Sequence, residues 1–211
     1  MPTTFTTTEA SAASALPING GMTKLSAINK MLKSAGLRPV VALDSGGDSD
    51  VALAEASLDD VDLELQSNGY FFNYEEDVEI AKDANNQIRL AANIIDVEPV
   101  SPANSARRGS FLYDLDEQDF AFTSNATVHQ IIRVAFEDCP ATFREWVVAE
   151  ASVRFQRETI GSTKIDAFAR ERLVRVRSKF LSHDARVGRY GLYRSADALG
   201  MRGRTGACAN E

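Results

Sequence analysis

"QSNGYFFNYEED", residues 66–77, places three consecutive aromatic residues directly after a glycine and then turns acidic. Exposed rings in such a run would suit stacking on bases or sugars, whereas buried rings would mark the place where two structural elements meet. What lies on either side decides between them. On the N-terminal side, Val51, Ala54, Leu58, Val61 and Leu65 recur at spacings of three and four, so a helix runs to Gly69. Asp48 or Ser49 can cap its exposed amides, and Glu55, Asp59 and Asp62 form an acidic stripe on another face. On the C-terminal side, "YFFNYEEDVEI", "IRLAANIIDVE", "FLYDL" and "VHQIIRVAF" carry β-branched or aromatic residues between turn-rich stretches, which predicts four to six short antiparallel strands. Gly69, Tyr70, Phe71 and Phe72 therefore fall at a helix-to-strand joint, with at least two rings buried and Phe71 and Phe72 on opposite faces of the first strand.

Further out, three more helices are predicted. Leu25, Ile28, Leu32 and Ala35 recur at helical spacing before Gly36 and Pro39. Pro140 suits the first turn of a helix whose apolar positions Phe143, Trp146, Val147, Ala151 and Phe155 cover more than one face, ending at Gly161. Thr163 and Asp166 resemble a capping box for a fourth helix with the stripe Ile165, Ala169, Leu173, Val176 and Phe180. Its outer face carries Arg172, Arg175, Lys179 and Arg186. The expected fold class is α+β: a four-helix bundle of N- and C-terminal helices with an inserted antiparallel β lobe. The expected divisions are a flexible arm over 1–22, a helical bundle domain from 23–69 and 139–187, a β domain over 70–138 and an extended tail over 188–211.

Composition narrows the function. The chain of 211 residues is 44% hydrophobic and 25% charged, enough for one ordinary core or two small ones. No apolar run approaches the roughly 20 residues that span a bilayer, and the first 21 residues hold no Lys or Arg, which predicts synthesis in the cytosol and no membrane partner. Cys139 and Cys208 lie far apart without metal-ligand spacing and read as free thiols. The net charge of -7 is uneven: residues 1–100 carry 6 basic against 16 acidic side chains, and residues 139–211 carry 14 against 8. Opposite-signed surfaces of this kind suit pairing between subunits, with Glu55, Asp59 and Asp62 on one side and Arg172, Arg175 and Lys179 on the other.

The catalytic inventory is poor. His129 and His183 are the only histidines, so the His-Asp pair in "SHDA" (182–185) lacks the further ligands a metal hydrolase needs. Adjacent acidic pairs such as Glu75-Glu76 point to opposite faces of a strand and do not by themselves make a glycosidase pair. No phosphate-cradling glycine loop is present, and the acidic first half opposes binding of a phosphate backbone. These residues predict no enzyme, no cofactor and no metal.

"KLSAINKMLKSAGLRPV" (24–40), "LQSNGYFFNYEED" (65–77), "LYD" (112–114) and "FEDCPATFREWVVAEASVRFQRETIG" (136–161), in that order, resemble tail tubular protein A of short-tailed bacteriophages, the head-to-tail adaptor or tail connector. The resemblance runs from about residue 23 to about residue 182, with Tyr70 where the family usually has Trp. It implies a structural virion protein of the tail, assembled in the host cytoplasm, that forms a ring of about twelve copies. That ring joins the portal protein to the tail nozzle protein and continues the DNA-ejection channel, with no sequence-specific DNA contact. Family members commonly reach the portal through the C-terminal tail, which singles out Arg189, Arg194, Arg202 and Arg204. The alternative is a virion-associated hydrolase of host surface glycans, which would require two carboxylates converging in a cleft.

Overall fold

The computed structural model describes residues 21–43, 49–159, 161 and 163–187. In chain order these form α1 (Lys24–Ser34), α2 (Ser49–Gln66), β1 (Tyr74–Ile80), β2 (Ile94–Ser101), β3 (Ser105–Arg108), β4 (Phe111–Asp114), β5 (Ala126–Ile132), α3 (Ala141–Thr159) and α4 (Thr163–Val187). Nearly all of the expected N-terminal arm, the alternative cap Asp48, and the expected tail with Arg189, Arg194, Arg202 and Arg204 lie outside the described residues.

Local chemistry accounts for the helix boundaries. Thr23 caps α1, its hydroxyl accepting from the Ser26 amide at 3.2 Å. Gly36, at φ 73°, turns the chain out of α1 in the left-handed conformation that favours glycine, and the Leu37 amide returns to the Leu32 carbonyl at 2.9 Å. The inward faces of α1 and α2 bury Ala27, Ile28, Met31 and Leu32, and Val51, Ala54, Leu58, Val61 and Leu65, against α3. Burial of Phe143, Trp146, Val147, Val148, Ala151, Val153 and Phe155 leaves α3 with no wholly solvated side.

The fold is α+β, but the expected four-helix bundle with an inserted lobe does not form. α3 is a central helix with α1 and α2 packed on it from one direction and α4 from another. Glu145 of α3 accepts from Lys179 of α4, while Arg154 of α3 bonds Glu64 of α2. Nine residues at about 100° each put Glu145 and Arg154 on opposite sides of α3. A closed bundle requires each helix to bury a stripe against two neighbours. Among the described side chains of α4 only Phe180 is fully buried, Leu173 and Val176 are half-buried, and Arg170, Glu171, Arg172, Arg175, Arg177, Lys179 and Arg186 are exposed.

The β region also departs from a single lobe, because its five strands form two antiparallel sheets. One has the order β1-β5-β2 and the other pairs β3 with β4. Central β5 alternates buried Ala126, Val128 and Gln130 with half-buried neighbours. Its apolar face meets Ile88, Leu90, Ile94, Leu112 and Phe122 in a core separate from the helical one. The first strand begins at Tyr74, so Phe71 and Phe72 are not strand residues on opposite faces. They lie in a turn whose Tyr70 carbonyl accepts from the amides of Asn73 and Tyr74, both at 3.0 Å. Beyond it, Glu75, Glu76, Asp77 and Glu79 are exposed on edge strand β1, which is bulged between Glu75 and Val78 with Asp77 at φ 54°. Charge and a bulge on an edge strand hinder pairing with a stray strand.

Candidate functional site

The stretch 66–77 is a joint built from two amide side chains. Gly69 leaves α2 at φ 69°, and a Cβ there would approach Ile131 Cδ1 to 3.0 Å, so both conformation and space select glycine. Asn73, fully buried, accepts from the Tyr70 amide at 2.8 Å and donates to the carbonyls of Gln66 (2.9 Å) and Ile132 (3.2 Å). Gln66, also fully buried, donates to the Val134 carbonyl and accepts from the Val134 amide, both at 2.8 Å. Its side chain thus pairs with the chain leaving β5 as a backbone amide would. The end of α2 and the end of β5 are thereby fixed to each other, with their buried backbone groups satisfied.

The rings complete the joint from the helical side. Tyr70 is buried against Phe180 (4.9 Å between centroids), Phe143 (5.9 Å) and Trp146 (6.1 Å). Half-buried Phe72 meets Phe143 at 4.9 Å, and half-buried Phe71 meets the His183 ring at 5.3 Å. One of the three rings is therefore buried and two are half-buried, with Phe72 stacked on Tyr70 at 6.2 Å and Phe71 set edge-on against Phe72 at 5.7 Å. Burial, with Asp184 nearby, holds the Tyr70 phenol above its ordinary pKa. The "SHDA" pair fastens α4 to this joint: His183 Nδ1 shares a hydrogen bond with the Thr142 hydroxyl, and Asp184 accepts from the Phe71 amide at 3.0 Å. His129 accepts from the Asp77 amide at the β1 bulge.

The acidic stripe of α2 is divided by the fold. Glu55 and Asp59 both bind Lys24 of α1, at 2.8 and 2.9 Å. Against the lowering effect of burial, these two hydrogen bonds hold the Lys24 ammonium above its ordinary pKa. Asp62, expected on the same surface, is only 3% exposed and accepts from the Gln66 amide nitrogen with both oxygens. Burial pushes its pKa up, the Gln66 hydrogen bond opposing. Asp59 and Asp62 border a cavity of about 430 Å³ with Asn93 and Arg133. Asp59 Oδ2 accepts from Lys24 of α1 and both Asp62 oxygens accept from Gln66, so these two carboxylates brace α2.

On α4, Arg172, Arg175, Lys179 and Arg186 fall on one face, as expected. Lys179 is tied to Glu145 and Arg175 to Glu171, whereas Arg172 and Arg186 have no ion pair among the described residues. Phe168, 79% exposed, lies on the same face. Buried Arg144, like Gln66 and Asn73, escapes sequence reasoning because polar residues read as surface. It donates to the carbonyls of Met22 (3.2 Å) and Glu137 (2.9 Å), and a Cβ on Gly21 would fall 1.6 Å from its Nη2. Burial pushes the Cys139 thiol up to about 12, far from a reactive thiolate.

Among the described residues no three His, Cys, Asp or Glu side chains converge as a metal site, and no helix is long and apolar enough to cross a membrane. No curated protein matches the sequence. The tail tubular protein family does match, over residues 25–190, a span containing all four helices to their core-facing residues, all five strands and the amide joint. The chain belongs to the tail tubular protein family and is a structural component of a phage tail.

Proposed function

We propose that this tail component is the adaptor between portal and nozzle. About twelve copies close a ring whose channel passes DNA without sequence-specific contacts, and the tail arginines Arg189, Arg194, Arg202 and Arg204 reach the portal. The observation that carries this is α4: a 25-residue helix that packs on its own subunit along one side and leaves Phe168, Val174, Leu181 and Val187 exposed among arginines. Exposed apolar side chains gathered on one element and bordered by charge mark a surface meant for a protein partner. The buried polar groups Gln66, Asn73 and Arg144 are bonded within the fold, which suits a part that transmits load more than one that binds a substrate.

Purified portal particles incubated with the full chain and imaged by electron microscopy provide the test. A ring of about twelve subunits on the tail-facing side of the portal is expected. Copies bound elsewhere, or no binding, would overturn the proposal. Reversing charge at Arg172, Arg175 and Lys179 together should lower ring loading while leaving the melting temperature nearly unchanged, since exposed ion pairs contribute only about 0–1 kcal/mol each. Truncation after Gly188 should weaken co-sedimentation with the portal and leave the melting curve in place.

A further inference from the structure

The joint leaves each region with one remote end, and the two ends differ in kind. In the β region, Ile132 is bonded to Asn73 at the joint, whereas Thr127, five residues and about 17 Å back along β5, pairs with Ser101. Beyond Ser101 the Asn104 carbonyl accepts from the Leu115 amide at 3.0 Å, so the turn after β4 lies at that outer end. There Leu115 is 41% exposed amid Asp114, Asp116, Glu117 and Asp119, none of which is in an ion pair among the described residues. The turn is held from within: Asp114 accepts from the Asp116 and Glu117 amides at 2.8 and 3.2 Å, and Asp116 accepts from the Asn104 side chain. In the helical region α4 runs antiparallel to α3, with the Thr142–His183 and Glu145–Lys179 contacts at the joint end. Toward the other end, Ala149, Gln156, Phe168, Ala169 and Arg172 border a cavity of about 240 Å³. Gln156 lies ten residues, or about 15 Å, beyond Trp146, whose ring meets Tyr70 of the joint. Its Nε2 donates to the Ser34 carbonyl at 2.7 Å, while its buried Oε1 accepts no hydrogen bond from the protein. Phe168 and Arg172 are exposed, and among the described residues no acid borders the cavity and Arg172 is in no ion pair.

We propose that the cavity between α3 and α4 of one copy receives the Leu115 turn of the next copy, and that this knob in its socket is the repeating contact between subunits. The proposal rests on the ring reading above and assigns its interface. Leu115 enters against Ala149, Ala169 and the Phe168 ring, which takes exposed apolar surface out of water on both partners. Asp116 and Glu117 flank it and meet Arg172, a pairing of opposite charge that orients the turn. Gln156 Oε1 supplies an acceptor for an N–H carried in with the turn. Because its own hydrogen bonds already fix the turn, little freedom is lost on docking. The carboxylates first expected to serve this contact, Glu55, Asp59 and Asp62, are committed to Lys24 and Gln66 of their own subunit, whereas the acids of the turn engage no cation among the described residues. Knob and socket are different surfaces at the two remote ends of the subunit, so the contact is head-to-tail, and such contacts propagate until a rotation closes them into a ring.

The test uses full-length chains with Cys208→Ser and the buried Cys139 kept. One chain carries Leu115→Cys, another Ala169→Cys, and both are assembled on portal particles with a short bismaleimide added. Linkage is expected in the mixture and absent in either chain alone, and a chain with both substitutions should give a ladder of linked multimers. A control mixing Leu115→Cys with Leu181→Cys, exposed twelve residues and about 18 Å further along α4 than Ala169, should not link. Linkage within a chain of one substitution, or equal linkage to position 181, overturns the proposal, as does a doubly substituted chain that links only within itself. A ring visible by microscopy without linkage in the mixture overturns it too, leaving the adaptor reading intact. No ring, even from the unsubstituted chain, sinks both.

Discussion

The helical region and the β region solve the same problem with different means. In the helical core, Tyr70, Phe143, Trp146, Phe155 and Phe180 join aliphatic side chains from α1, α2 and α3, so large rings supply the buried area. The β core is smaller and mostly aliphatic: Ile88, Leu90, Ile94, Leu112, Ala126 and Val128 with Phe122 as its one buried ring. Around it, hydrogen bonds from side chains to backbone hold the turns. Asp83 accepts from the Asn85 and Gln87 amides, Asp114 from Asp116, and Arg107 reaches the carbonyls of Ile94 and Ile95. A core that small leans on the larger one through the Gln66 and Asn73 joint. The helical region should therefore set global stability, and the β region should follow it.

The largest expected effect tests that ranking. Phe143→Ala removes a fully buried ring touching Tyr70, Phe72, Trp146 and Phe180, and should cost about 3–5 kcal/mol. Trp146, buried beside it, reports the transition: blue-shifted emission in the folded protein and a red shift on unfolding. Leu112→Ala, at a fully buried β position, should cost toward the lower part of about 2–5 kcal/mol. It should also lower amide protection in β3 and β4 before it moves the Trp146 transition. Equal losses from the two, with one coincident transition, would mean that the molecule has one cooperative core and break the comparison.

The joint comes next in size. Asn73→Ala leaves the buried Tyr70 amide without its acceptor and should cost about 1–3 kcal/mol. If the joint couples the regions, this variant should separate the denaturation curve of Trp146 from that of β-strand circular dichroism. Curves that stay superimposed would show that packing of the rings alone carries the coupling.

Helix positions were legible in the sequence because an apolar stripe at spacings of three and four lines one side of a helix and would scatter over both faces of a strand. The end of α2 and the boundaries of α3 follow from Gly69, Pro140 and Gly161. What periodicity does not encode is which stripe meets which. α4 carries an apolar stripe whose half-buried Leu173 and Val176 lie at the rim of the helical core rather than inside a bundle. Strand β3, "SARR", has no apolar alternation and exists because β4 pairs with it, so it was legible only as part of a turn. Of the site, Gly69 and the rings stood out by residue type and Asp62 only as a member of an acidic surface stripe, whereas Gln66 and Asn73 did not stand out. A buried amide differs from an exposed one only in its partners, and those come from β5, more than fifty residues away along the chain.

The chemical inertness of the helical core offers a smaller test. Cys139 is buried and its thiol is held near 12, so it should resist iodoacetamide at pH 8 in the folded protein and be modified after unfolding, as read by peptide mass spectrometry. In Asn73→Ala its labelling should remain slow if the helical region keeps its structure when the joint is weakened. Fast labelling would place Cys139 under the control of the joint instead.

The smallest expected effect separates two acids on the same helix by the sign of their pH dependence. Burial raises the Asp62 pKa, so its contribution to stability is complete below the unfolded value near 4 and is lost as pH rises through the folded value. Glu64 is held below its ordinary value by the hydrogen bond from Arg154, so its contribution is present above the unfolded value and is lost as pH falls through the folded one. Asp62→Asn keeps an acceptor for Gln66 and abolishes ionisation, so its melting temperature relative to wild type should be higher at pH 7 than at pH 3.5. Glu64→Gln should show the reverse, with its deficit at pH 7 shrinking at pH 3.5. The Glu64 effect should be slight, because that carboxylate is largely exposed and solvent screens the pair. Parallel pH profiles for the two variants would mean that Asp62 is hydrated in solution, and that the end of α2 at the joint is looser than the bonds of Gln66 imply.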